Sequence, residues 1–304
     1  MTIGGSGEGR PSKNRRRDAA RIKATRLRVQ QKKKDRRNRV FLQGGIAVAS
    51  IAVVAIIALI IMNSIRPAGP GPANMASDGI LIGEGMTAIT TSALQPNRNP
   101  VPSKPDSTGT VADIRVYVDY LCPFCGQFDK ANSSQIVTWV KSGAARVEIH
   151  PISILTSKSA GTQYSLRAAN AAACVANYAP DDFYGFNAAL FADQPKEGTA
   201  GLDDSEIKGL VKTAGVGAAA TKINTCIDEA NFKAWVVAAT DRALSGPLPN
   251  STVKAITGTP TVLVNGKQYV GALDDPKEFA AFVLQSAGET YSTSTPTPTP
   301  ATAG

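Results

Sequence analysis

Residues 113–128 read DIRVYVDYLCPFCGQF, and the fold turns on how that stretch divides. Asp113–Asp119 alternates and is rich in β-branched side chains, the pattern of a strand. From Pro123 the period changes. A helix is predicted over Pro123–Ser142, with Phe124 and Phe128 one turn apart and Ile136, Val137 and Val140 on a shared face. Gly143 comes next as a plausible C′ residue. Pro123 suits the first helical position, where a missing N–H costs nothing. Cys122 then falls at the cap, facing unpaired backbone amides and the positive end of the helix dipole.

A thiolate at that position is stabilised, so Cys122 is expected to be a nucleophile near neutral pH and a good leaving group. Cys125, about one turn further in, is close enough to make or break a disulfide with it. The expected chemistry is dithiol–disulfide exchange through a mixed disulfide on Cys122. Two other readings of Cys-x-x-Cys are weaker. A zinc site needs two more ligands, and the single His is His150, while Cys174 and Cys226 lie far apart without paired spacing. A purely structural 122–125 bridge closes too small a loop to gain much. No metal and no cofactor are expected, and no nucleotide motif is visible.

Outward from this segment, Ala145–Leu155 reads as a strand. Ser157–Ser245 is helical in pattern, broken at Ala179-Pro180, Gln194-Pro195 and Gly215. Strand character returns at Pro260–Val264 and Lys267–Val270 around Asn265-Gly266, a strong two-residue hairpin signal. Asp275–Ser286 reads as a last helix. Upstream, Gly79–Gly83 looks like a short strand, and the Pro-rich residues 95–110 read as a loop. The fold class is therefore α/β: a sheet layer with a helical insertion at about 157–246 between its halves. Cys174 and Cys226 fall in that insertion and read as a structural disulfide, with two separate buried thiols as the rival. His150, before Pro151, reads as a core or edge residue rather than a proton-transfer group.

The 304 residues are 43% hydrophobic and 19% charged, which excludes wholesale disorder. The net charge of +9 is concentrated at one end: residues 1–39 hold fifteen Lys/Arg against three acids, leaving the rest slightly acidic. That tail has no aromatic residue to stack on a base, so no nucleic-acid partner is expected. Residues 40–65 carry no charge, and their centre, GGIAVASIAVVAIIALIIM, is long enough for about 28 Å of helix. A single transmembrane helix is expected, in preference to a cleaved signal peptide with its shorter apolar run. The positive-inside rule leaves residues 1–39 in the cytosol and exports the chain beyond Arg66. The expected division is a basic tail at 1–39, a span at 40–65, a linker at 66–78, a folded domain at 79–288 and a Thr/Pro-rich disordered tail at 289–304.

With these residues in view, the chain resembles the DsbA-like thiol:disulfide oxidoreductases of the thioredoxin superfamily in their membrane-anchored bacterial form. Tyr117–Phe128 resembles their strand–CPxC–helix segment, Gly258–Ala272 (GTPTVLVNGKQYVGA) their cis-proline loop and hairpin, and the helical insertion has the expected size. The resemblance implies a thioredoxin-like sheet, a cis Thr259-Pro260 bond and a loop lying against the cysteines, with Thr259 and Pro260 contacting an extended substrate chain. It also implies that the partners are reduced, unfolded exported proteins and a quinone-linked membrane reoxidant of the DsbB or VKOR type. Two positions depart from the pattern. Phe124 stands where strongly oxidising members have His, and Val116 where many thioredoxin-like enzymes have a buried acid; Asp119 is the nearest carboxylate that could substitute.

Overall fold

The alternation of Ala112–Val118 resolves into a strand with two different faces. In the computed structural model, which describes residues 69–106 and 109–294 together with isolated helical positions between residues 21 and 34, six strands form one sheet. In chain order these are β1 (Ile80–Gly83), β2 (Thr87–Ala88), β3 (Ala112–Val118), β4 (Ala145–Pro151), β5 (Thr261–Val264) and β6 (Lys267–Gln268). Their spatial order is β2-β1-β4-β3-β5-β6. β3 and β4 are parallel, joined through helix α1 (Pro123–Lys141), and the other pairs are antiparallel. Val116 is paired with Ile149 on one side and Val262 on the other.

Ile114, Val116 and Val118, with Val147, Ile149, Val262 and Val264, point into the main core. That core also takes Phe128, Ile136 and Val140 of α1 and Phe279 and Val283 of α7 (Pro276–Ser294). The opposite face carries Tyr117 and Leu263, which pack against Ile152, Leu248 and Ile256. The hairpin turn is as expected: Asn265 and Gly266 both have positive φ, 47° and 78°, as a type I′ turn demands. Gly143 ends α1 with φ 75°, the left-handed C′ conformation.

The insertion is five helices: α2 (Tyr164–Tyr178), α3 (Phe183–Ala192), α4 (Asp204–Thr213), α5 (Ala220–Asp228) and α6 (Lys233–Ser245). α2 is its centre. Ala168, Ala169, Ala171, Ala172, Ala173, Cys174 and Ala176 are all buried, small side chains that let neighbouring helices approach closely. Cys174 of α2 and Cys226 of α5 form a disulfide with Cα atoms 5.9 Å apart, the structural bridge rather than two free thiols.

Three boundaries differ from the sequence expectations. Residues 71–78 are not linker but part of the domain. Met75 is fully buried, Asn74 Nδ2 donates to the Ala176 carbonyl at 2.9 Å, and the Asp78 carboxylate takes both Arg242 Nε (2.6 Å) and Nη2 (2.7 Å). Gly71 lies so close to the Trp235 ring that a larger residue would collide. Their Pro/Gly/Ala composition resembles a spacer because close passage over helices needs the same small side chains. β4 stops at Pro151 rather than Leu155, and α7 runs on to Ser294, into the expected disordered tail. Asn265 Nδ2 holds that extension, donating to the Ser286 carbonyl and Thr290 Oγ1. The expected span at 40–65 lies outside the described residues; among the described residues no helix is long and apolar enough to cross a membrane.

Candidate active site at the carboxyl end of β3

After β3 the chain makes a tight passage, Asp119–Leu121, into α1. Cys122 is the N-cap with extended φ/ψ (−74°, 117°), and Pro123 opens the helix. The Cys122 amide donates to the Asp119 carbonyl at 3.0 Å, and the Cys122 carbonyl accepts from Cys125 N at 3.0 Å. Across the gap stands the loop before β5, where the Thr259–Pro260 bond is cis. The Cys122 thiol donates to the Thr259 carbonyl at 3.0 Å. Sequence-distant residues Cys122, Cys125, Thr259 and Pro260 are thus brought to one place, at the end of the sheet where β3 leaves and β5 enters.

Both cysteines are free thiols, and they differ in character. Cys122 is 5% exposed, and its pKa is lowered to about 6. The main cause is a hydrogen bond from the Cys125 thiol. Burial works against it, while the Thr259 side chain and the amides of Cys125 and Phe124 add to it. Those amides belong to the first turn of the helix, at the positive end of its dipole. Cys125 is 1% exposed, and burial, together with its bond to Cys122, pushes its pKa well up. The pair therefore holds one proton tightly and one loosely, the division of labour that exchange requires.

Phe124 is 59% exposed and turned to solvent beside Cys122. Asp119 is fully buried, but its carboxylate is spent on architecture. Oδ1 accepts from Leu121 N (2.9 Å), and Oδ2 from Leu155 N (2.9 Å) and Ser165 Oγ (2.7 Å). It joins the cysteine loop to the segment after β4 and to α2. Burial raises its pKa, and these donors oppose the rise. Its link to Cys125 runs through the backbone. His150 stacks on Tyr117 with ring centroids 4.4 Å apart and lies 3.4 Å from Glu148, on the sheet face away from the main core.

Two residues of this region escaped the sequence reading. Gln194, just after α3, donates through Nε2 to the carbonyls of Tyr120 (3.1 Å) and Cys122 (2.8 Å), clamping the cysteine loop from the insertion. Gly126 leaves the space for that side chain. Asp129 stands one turn beyond Cys125, half-buried, and burial raises its pKa to about 7. The Gln194-Pro195 pair is visible in sequence only as a helix break. The i, i+4 spacing from Cys125 to Asp129 was legible.

A dithiol capping a helix at the end of a mixed sheet, against a cis-prolyl loop, defines a thiol–disulfide exchange site. The thioredoxin family model matches residues 108–284, more than half of the chain, and the chain belongs to the thioredoxin family. Among solved structures it is similar to reduced DsbA from Mycobacterium tuberculosis, with 26% identity and a TM-score of 0.50 over 72% of this chain and 100% of that one. It is also similar to reduced DsbG, a disulfide bond oxidoreductase from the same organism, with 26% identity and a TM-score of 0.50 over 76% of this chain and 97% of that one. It is thus a DsbA-like protein of the disulfide oxidoreductase class. BdbD from Bacillus subtilis, 19% identical with a TM-score of 0.50 over 73% of this chain and 100% of that one, shares the fold. A stretch of 106 residues, 34% of this chain, is 36% identical to the serine/threonine-protein kinase PknE of Mycobacterium tuberculosis. The match spans about a fifth of that kinase, 19% of its length.

Proposed function

We propose that the chain is a membrane-tethered oxidant that introduces disulfides into exported proteins. The observation that carries this reading is the Cys122 thiol, held at the start of α1 with a pKa lowered to about 6, beside a buried Cys125 and the cis-prolyl loop. A substrate thiolate attacks Cys122 Sγ of the oxidised enzyme, the Cys122–Cys125 bond breaks, and a mixed disulfide forms. A second substrate thiol then displaces Cys122. The substrate leaves as a disulfide and both enzyme cysteines are left reduced. Thr259 and Pro260 present backbone to the substrate chain in an extended pairing.

The fifteen cations of residues 1–39 and the uncharged stretch 40–65 support a cytosolic N-terminus, a single membrane span and an extracytoplasmic domain. Reoxidation falls to a quinone-linked membrane enzyme of the DsbB or VKOR type, and a tether keeps the domain near it. A reductase or isomerase is the second reading, favoured by Phe124, whose exposed ring supplies no positive charge to the thiolate. A redox potential for the Cys122–Cys125 couple near about −120 mV supports the oxidant, and one near about −270 mV the reductase. Oxidation of a reduced, unfolded protein that survives Cys122→Ser overturns both.

A further inference from the structure

Beneath the cysteines, between α1, α3 and the strands β3 and β4, lies a cavity of ≈ 20 Å³. Its walls are mostly apolar: the strands contribute Val116, Val118, Val147 and Ile149. Cys125 lines it at one place and Asp129, one helical turn further, at another, the single carboxylate of the lining. Asp129 is half-buried, so it reaches both the cavity and the outside, whereas Cys125 is 1% exposed. A short polar chain fixes the arrangement. Tyr120 Oη donates to Asn187 Oδ1 at 3.1 Å, and Asn187 Nδ2 donates to Asp129 Oδ1 at 3.5 Å. The volume suffices for about one water molecule.

We propose that Asp129 is the proton donor and acceptor for the buried Cys125 thiol, working across this cavity. The proposal deepens the exchange function and rests on it. When a substrate thiolate attacks Cys122 Sγ, the S–S bond breaks and its electron pair leaves on Cys125 Sγ. That sulfur is sealed from bulk water and needs a proton. Protonated Asp129 supplies it across the cavity, with one water bridging, and the carboxylate left behind is reprotonated from solvent at its exposed edge. When the dithiol is reoxidised the transfer reverses: Asp129 takes the Cys125 proton as that sulfur attacks the mixed disulfide on Cys122. Donation and acceptance at one pH require both forms to be populated, and burial brings Asp129 to about 7. The ionisable groups facing it from the packed elements are Tyr184 of α3, Tyr120 of the cysteine loop and Cys125 of α1. Burial raises all three pKa values, so none becomes a rival charge near pH 7.

The test compares wild type, Asp129→Asn and Asp129→Glu in single-turnover oxidation of a reduced, unfolded protein from pH 5.5 to 8.5. Alkylation of Cys122 in the reduced proteins is measured in parallel. Asp129→Asn is expected to slow oxidation by about tenfold or more at pH 7 and to remove an inflection near 7 from the profile, with Asp129→Glu restoring most of the rate. Cys122 alkylation should change by less than about threefold, since that thiolate is held by other donors. A rate and profile in Asp129→Asn equal to wild type overturn the proposal. So does a loss matched by an equal fall in Cys122 alkylation, which marks a disturbed loop. Wild type inert toward thiols and disulfides alike removes the exchange function itself, whereas an active wild type matched in rate and profile by Asp129→Asn overturns this inference alone.

Discussion

The Cys122 thiol and the Thr259 carbonyl meet at 3.0 Å although 137 positions separate them in the chain. That contact joins the two parts of the site: a helix cap that holds a sulfur, and a loop that presents backbone. Its acceptor is occupied by the Cys122 proton, and it is released when that proton leaves.

The first expectation concerns that proton. With a pKa of about 6, Cys122 is about 90% thiolate at pH 7, against about 1% for a thiol at 9. Alkylation rate against pH should therefore have its midpoint near 6. Cys125→Ala removes the largest cause of the shift, so the midpoint should move back toward the ordinary thiol value. An unchanged midpoint in that variant would assign the shift to Thr259 and the helix amides.

Linkage gives the second. The folded pKa of Cys122 lies below its unfolded value of 9.0, so thiolate formation stabilises the reduced fold. The contribution is full above pH 9 and is lost as pH falls through about 6. The oxidised protein has no such thiol. Urea unfolding of both redox forms should show the reduced form losing stability relative to the oxidised form on acidification from 9 to 6.

A third expectation concerns the clamp. Gln194→Ala removes two hydrogen bonds from carbonyls at Tyr120 and Cys122, a loss of about 1–3 kcal/mol. Gly126→Ala places a methyl where the Gln194 amide sits and should displace it. Both variants should lose stability in chemical unfolding and share the same altered Cys122 alkylation rate. Divergent reactivities would uncouple the clamp from Cys122.

The insertion supplies the fourth. Replacing Cys174 and Cys226 by Ala opens a bridge between residues 52 positions apart, worth about 4 kcal/mol by loop entropy. Thermal unfolding should fall accordingly, while the pH midpoint of Cys122 alkylation stays in place.

The fifth rests on the amino-terminal edge. A chain beginning at Gly79 lacks buried Met75 and the Asp78 carboxylate that pairs with Arg242. It should be less stable than one beginning at Ala68 by several kcal/mol, read by urea unfolding.

Local features were legible in the sequence. The strand–Cys-Pro-Phe-Cys–helix segment announces itself through a change of period and a proline at the first helical position. The Asn265-Gly266 turn does so through two residue types that tolerate positive φ, which both adopt. Residues that act at long range did not announce themselves. Asn74 reads as loop until Ala176 is beside it, 102 residues away, and Gln194 as a helix terminator until the cysteine loop is beside it. Asp119 was visible as a carboxylate near the thiols, but only packing shows its oxygens committed to Leu121, Leu155 and Ser165.

The two parts of the reactive centre lie on either side of the five insertion helices in the chain. A growing polypeptide therefore emerges with its four cysteines well before the carbonyl that will face the first of them. The cysteine cap and the carbonyl that faces it can meet only after the whole insertion has been made, so the site is among the last parts of the fold to close.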